Sequence, residues 1–73
     1  MTAFVIVVTF MLGAGVSMRA ISCPTDLCVA LRRAQVAESH LVSRFQVWRA
    51  EDFSKLTVGN AFVWPPIIDE QYM

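Results

Sequence analysis

No Lys, Arg, Asp or Glu precedes Arg19 in this 73-residue chain. Its net charge is zero, which removes the electrostatic basis for nucleic acid or another polyanion as partner. It has one histidine, His40, so there is no multi-histidine metal set, and the hydroxyl residues have no base beside them except that one. No Gly-rich loop of the phosphate-cradling kind occurs. The two cysteines, Cys23 and Cys28, are too few for a four-ligand zinc site and are not spaced as a C-x-x-C redox pair. The carboxylates fall as Glu51-Asp52 and Asp69-Glu70 in expected turns and tail, with no scaffold to form a pocket. The chain therefore reads as a non-enzyme with no catalytic, metal or cofactor-binding residues and no small-molecule substrate.

Residues 2–18, TAFVIVVTFMLGAGVSM, form the uncharged run, and the rest of the reading depends on them. The most apolar part, AFVIVVTFML, has the length of a secretory h-region and is followed by small residues. Gly15-Val16-Ser17 and Ala20-Ile21-Ser22 both satisfy the small-x-small cleavage pattern, marking Ser17 and Ser22 as processing positions. A basic start is missing. An uncleaved anchor stays open, since the run is slightly short of the ~20 residues of a spanning helix and Arg19 could snorkel. A run packed in a soluble core is the third reading.

Seventy-three residues allow one small domain. The expected organisation is a signal peptide or membrane anchor over residues 1–22, a disulfide ring and amphipathic helix over 23–50, and a hairpin-like or disordered tail over 51–73. The corresponding fold class is small and mostly α. Charge is divided: residues 19–49 carry a basic excess of three and residues 50–73 an acidic excess of three.

Directly after the run comes SCPTDLCVALRRA. Two cysteines just past a secretory-type segment read as an intrachain disulfide. In a continuous helix, positions i and i+5 are about 7.5 Å apart by rise alone, beyond the Cα separation of about 7 Å that a disulfide permits. A Cys23–Cys28 bond thus requires Pro24-Thr25-Asp26-Leu27 to turn, with regular helix starting near Cys28. Without it, Pro24 could open the helix with Ser22 or Cys23 as cap.

Ser22-Cys23-x-Thr25-x-x-Cys28-Val29-x-x-Arg32-x-Ala34 resembles the ring and helix start of the calcitonin-gene-related peptide and amylin hormones. Thr57-Val58-Gly59-Asn60-Ala61-Phe62 is similar to the end of the same peptides. The resemblance implies a Cys23–Cys28 ring as receptor-activating end and a helix as docking face. The chain departs from the pattern where Phe62 is followed by Val63-Trp64-Pro65-Pro66, and no dibasic pair precedes Ser22.

Leu27, Leu31, Ala34, Leu41, Phe45 and Trp48 follow a three-four spacing, with Glu38 in the one missing place. No Gly or Pro interrupts Thr25 to Val58, so one amphipathic helix is expected over about 27–49. Leu31, Leu41, Phe45 and Trp48 would form its partner-contact stripe, facing a receptor groove, a membrane surface or the chain's own C-terminal segment. Arg32-Arg33 is a possible dibasic processing site. In the tail, Gly59-Asn60 between two strand-prone quartets is a hairpin signal, Pro65-Pro66 stops it, and Trp64 is a further contact position.

The functional expectation is a small secreted peptide or precursor that binds a receptor or other protein partner. The alternative is a single-pass membrane protein or an accessory subunit of a membrane complex, and a short reading frame without a selected function is a third.

Overall fold

Five consecutive residues, Val5-Ile6-Val7-Val8-Thr9, are β-branched, and branching at Cβ suits a pleated strand better than a helix. In the computed structural model, which describes residues 3–56 and 65–72, they form the middle of a strand. The elements in chain order are β1 (Phe4–Leu12), β2 (Gly15–Cys23), α1 (Asp26–Ala37), β3 (Val42–Arg49), α2 (Ala50–Leu56) and β4 (Ile68–Gln71). The strands make one antiparallel sheet in the order β2-β1-β3-β4.

The mostly α expectation is overturned. The stretch from Phe4 to Cys23 is a β-hairpin and not the expected N-terminal hydrophobic helix. Its loop is two residues, Gly13-Ala14, between the paired Leu12 and Gly15. Gly13 has φ +60°, the left-handed value that a tight hairpin turn demands at its first central position and that glycine adopts without a Cβ clash. Among the described residues, no helix is long and apolar enough to cross a membrane. Continuous hydrophobicity arises here because β1 is a central strand flanked by β2 and β3, with helices contacting it. Ile6 and Val8 pack in the main core, and Val7, pointing to the opposite face, is also buried.

The expected helix over 27–49 is also corrected. α1 ends at Ala37, a turn follows, and residues 42–49 form a strand. From Arg44 onward the pattern Arg-Phe-Gln-Val-Trp has period two. Phe45 and Val47 are buried among the core residues, while Arg44, Gln46 and Trp48 take the alternating positions. A bulge between Thr9 and Phe10 shifts the register so that Phe10 opposes Val42.

The main core lies between α1 and one face of the sheet. Its buried members are Ile6, Val8, Cys23, Val29, Val42, Phe45 and Val47. Full burial of each large apolar side chain contributes about 1.5–3 kcal/mol. On the opposite face, the rings of Trp48 and Phe53 of α2 meet with centroids 5.9 Å apart. In the C-terminal tail, β4 pairs with β3 from Arg44↔Gln71 to Val47↔Ile68. The Gly59-Asn60 hairpin and Trp64 lie outside the described residues.

Candidate functional site

Cys23 ends β2 and Cys28 lies in the first turn of α1; the two form a disulfide with Cα atoms 5.6 Å apart. The four-residue turn expected over residues 24–27 is shorter than that: the chain bends at Pro24-Thr25, and Asp26 and Leu27 already belong to the helix. Thr25 caps the helix from an extended backbone conformation, and its Oγ1 accepts a hydrogen bond from the Cys28 amide at 3.2 Å. Regular helix begins at Asp26, leaving Pro24 outside it. Cys23 is completely buried, so the bond staples the end of the sheet beneath α1.

The other expected contact residues do not share one face. Phe45 is sealed in the core and Trp48 sits on the opposite side of the sheet against Phe53. Leu31 and Leu41 are more than half exposed, on α1 and just before β3 respectively. Of the processing candidates, Ser17 and Ser22 are strand residues of β2 and Arg32 is exposed on α1. Arg33 is committed to an ion pair. Its Nε and Nη2 donate to the two carboxylate oxygens of Glu70 at 2.8 and 2.5 Å, joining α1 to β4.

That pair has a counterpart. Arg44 of β3 donates from Nε and Nη2 to both oxygens of Asp69 at 2.8 and 2.7 Å. Successive strand residues point to opposite faces, so β4 is clasped on each of its faces. The bidentate hydrogen bonds from Arg44 and Arg33 hold the Asp69 and Glu70 carboxyls below the usual carboxylate range. Burial raises the Tyr72 phenol, and neighbouring Glu70, which accepts its hydrogen bond at 3.2 Å, raises it further.

Among the described residues, the hairpin at the other end of the sheet has no such clasp. Leu12 is 52% exposed, Val16 63% and Met18 64%. Phe10, Leu12, Ser17, Met18, Arg19 and Leu41 line an open hollow of about 490 Å³. Among the described residues β2 is an edge strand, paired only with β1. The Met11 amide donates to the Leu41 carbonyl at 2.8 Å, so the odd-numbered residues of β1 direct their backbone groups away from β2. By the antiparallel alternation, residues 15, 17, 19, 21 and 23 bond to β1, leaving the amides and carbonyls of Val16, Met18, Ala20 and Ser22 directed outward.

A second hollow of about 370 Å³ is lined by residues that include Phe4, Asp26, Val29, Arg33, Val47 and Ile68. Among the described residues, no group of three His, Cys, Asp or Glu side chains could hold a metal ion. In comparisons with known proteins, the chain matches no family model, no curated protein and no solved structure.

The sequence hides the hairpin site because the unbroken apolar stretch suggests a helical run. The signal for it was the β-branched block 5–9 followed by Gly13, a strand-and-turn pattern masked by the length of the apolar stretch.

Proposed function

We propose that this chain is a small disulfide-stapled binding module that acts by contacting a protein partner through its β1–β2 hairpin. The observation that carries this reading is the exposure of Leu12, Val16 and Met18 beside an open sheet edge. Val16 and Met18 share the face away from α1 and Leu12 lies at the hairpin tip, and exposed apolar side chains gathered along one edge of a small domain are a common mark of protein contact. The unbonded edge adds backbone groups that an extended segment can pair with. The Cys23–Cys28 bond is compatible with an extracellular setting and supports placing the module in an oxidising compartment.

A photoreactive residue at Val16, compared with one at Ala34 on the exposed part of α1, tests the reading in cells that make the protein. Both positions are exposed. The expected result is a discrete adduct from position 16, identified as protein by mass spectrometry, and none from position 34. Equal labelling at both, or no adduct at position 16, overturns it.

A further inference from the structure

The two edges of the sheet offer different opportunities for strand addition. β4 is four residues long and carries Asp69 and Glu70, both held by arginines. Short, charged edges resist further pairing. β2 is nine residues long, contains no proline, and has Arg19 as its one charged side chain. Its outward backbone groups alternate regularly at Val16, Met18, Ala20 and Ser22. Such an edge is a template for another strand, and a strand that matches it in length, polarity and side-chain size is β2 itself.

We infer that the partner of the hairpin edge is a second copy of this chain, joined by antiparallel β2–β2 pairing about a two-fold axis at Met18. The inference rests on the reading of the hairpin as a protein-contact surface. Two-fold pairing of identical strands requires that each residue i faces a residue whose number completes a fixed sum. Hydrogen-bond alternation limits the sum to even values, because the outward-directed residues of both strands must meet each other.

The full-overlap register places Arg19 directly opposite its own copy in a narrow, non-hydrogen-bonded pair, where Cα atoms lie only about 4.5 Å apart. Like charges directly opposite one another destabilise a sheet, so that register is disfavoured. Moving the axis to Met18 retains pairing over residues 15–21. It puts Arg19 opposite Ser17, whose hydroxyl can accept from the guanidinium, and Val16 opposite Ala20. Moving it to Ala20 instead puts Arg19 opposite Ile21, with no acceptor. The Met18-centred register is thus the one in which Arg19 gains a polar neighbour. The product is a continuous eight-stranded antiparallel sheet closed by β4 at each end. The two Met18 side chains, exposed in one copy, meet on the axis.

Sedimentation equilibrium of the purified full chain over a concentration series tests the association, and the expected result is a reversible monomer–dimer equilibrium. Met18→Lys places two ammonium groups on the axis and is expected to weaken the dimer by about fivefold. Its circular dichroism should be unchanged, because Met18 is exposed in the single chain.

Cysteine substitutions read the register directly. In the Met18-centred sheet the two residues 18 form a hydrogen-bonded pair with Cα atoms about 5.5 Å apart, within disulfide range. Met18→Cys should therefore give an intermolecular disulfide under mild oxidation, whereas Ala20→Cys should not. A strictly monomeric wild-type chain, a Met18→Lys dimer of unchanged affinity, or cross-linking through Ala20→Cys in place of Met18→Cys overturns the inference. A monomer that still gives a foreign-protein adduct at position 16 overturns self-pairing alone. A monomer without that adduct overturns the binding reading as well.

Discussion

Among the described residues, the sheet has one edge that is tied down and one that is left open, and the two differ in almost every property that controls strand pairing. β4 is short and carries a carboxylate on each face, with Arg33 and Arg44 clasping it from α1 and from β3. β2 is more than twice as long, mostly uncharged, and anchored at its far end by the Cys23–Cys28 bond and at its near end by the tight turn at Gly13. The acidic excess of the C-terminal part and the basic excess of the middle part thus have a specific structural use, the attachment of the last strand. The apolar excess of the N-terminal part has two uses, since one side of the hairpin fills the core while its tip and edge face outward.

The largest expected effect comes from the residue on which both edges depend. Phe45 is fully buried in β3, the strand that pairs with β1 on one side and with β4 on the other. Phe45→Ala should cost about 3–5 kcal/mol, enough to unfold a domain of this size or bring it close to unfolding. Chemical denaturation followed by circular dichroism would show a lowered midpoint. A midpoint close to wild type would show that the core between the edges is less closely packed than described.

Removal of the disulfide separates the edges more selectively. Cys23→Ala with Cys28→Ala opens a short loop, whose closure is worth about 2 kcal/mol. The loss should appear in denaturation, and in hydrogen exchange it should concentrate at the end of β2 and the start of α1 while β4 keeps its relative protection. Uniform loss across both edges would mean that the bond stabilises the whole chain and not its local junction. The hairpin turn gives a smaller perturbation. A Cβ at Gly13 meets nothing within 4 Å, so Gly13→Ala changes only backbone preference at φ +60°. The cost should be about 1–2 kcal/mol, measured again by denaturation. No change would indicate that the turn relaxes to another conformation.

These differences also explain what the sequence disclosed. The cysteine spacing was legible because covalent geometry is local: a bond between Cys23 and Cys28 demands a turn before the helix, and the chain makes that turn at Pro24 and caps the helix with Thr25. The strands were not legible, for two reasons. Residues 4–12 lack alternation because β1 buries side chains on both faces, and a buried strand then looks like a piece of apolar helix. Between Ala37 and Val42, no Gly or Pro marks the break, so Leu27, Leu31, Ala34, Leu41, Phe45 and Trp48 fell into a false helical stripe spanning a helix and a strand. The edge clasps were beyond reach because Arg33 and Glu70 are 37 residues apart in the chain, and Arg44 and Asp69 are 25 apart. Nothing local joins them.

The smallest expected effect distinguishes the edges by acidity alone. Bidentate hydrogen bonds from Arg44 and Arg33 lower the Asp69 and Glu70 carboxyls in the folded chain. A carboxyl whose folded value is depressed contributes stability above its unfolded value, and loses that contribution as pH falls through the folded one. Both pairs are partly open to solvent, so the contribution is modest and weakens with salt. The loss should begin near pH 4, where unperturbed carboxyls titrate, and continue below it. β2 carries no carboxylate, so acid should leave its pairing with β1 intact while β4 loosens from β3. Amide exchange resolved by residue, measured at neutral pH and below about pH 4 after correction for intrinsic rates, should show falling protection for Tyr72, whose amide donates to the Ser43 carbonyl. Ile21 and Arg19, which bond inward to β1, should hold theirs. Equal loss at the two edges would show that acid acts on the fold as a whole and that the arginine clasps do not set the difference between them.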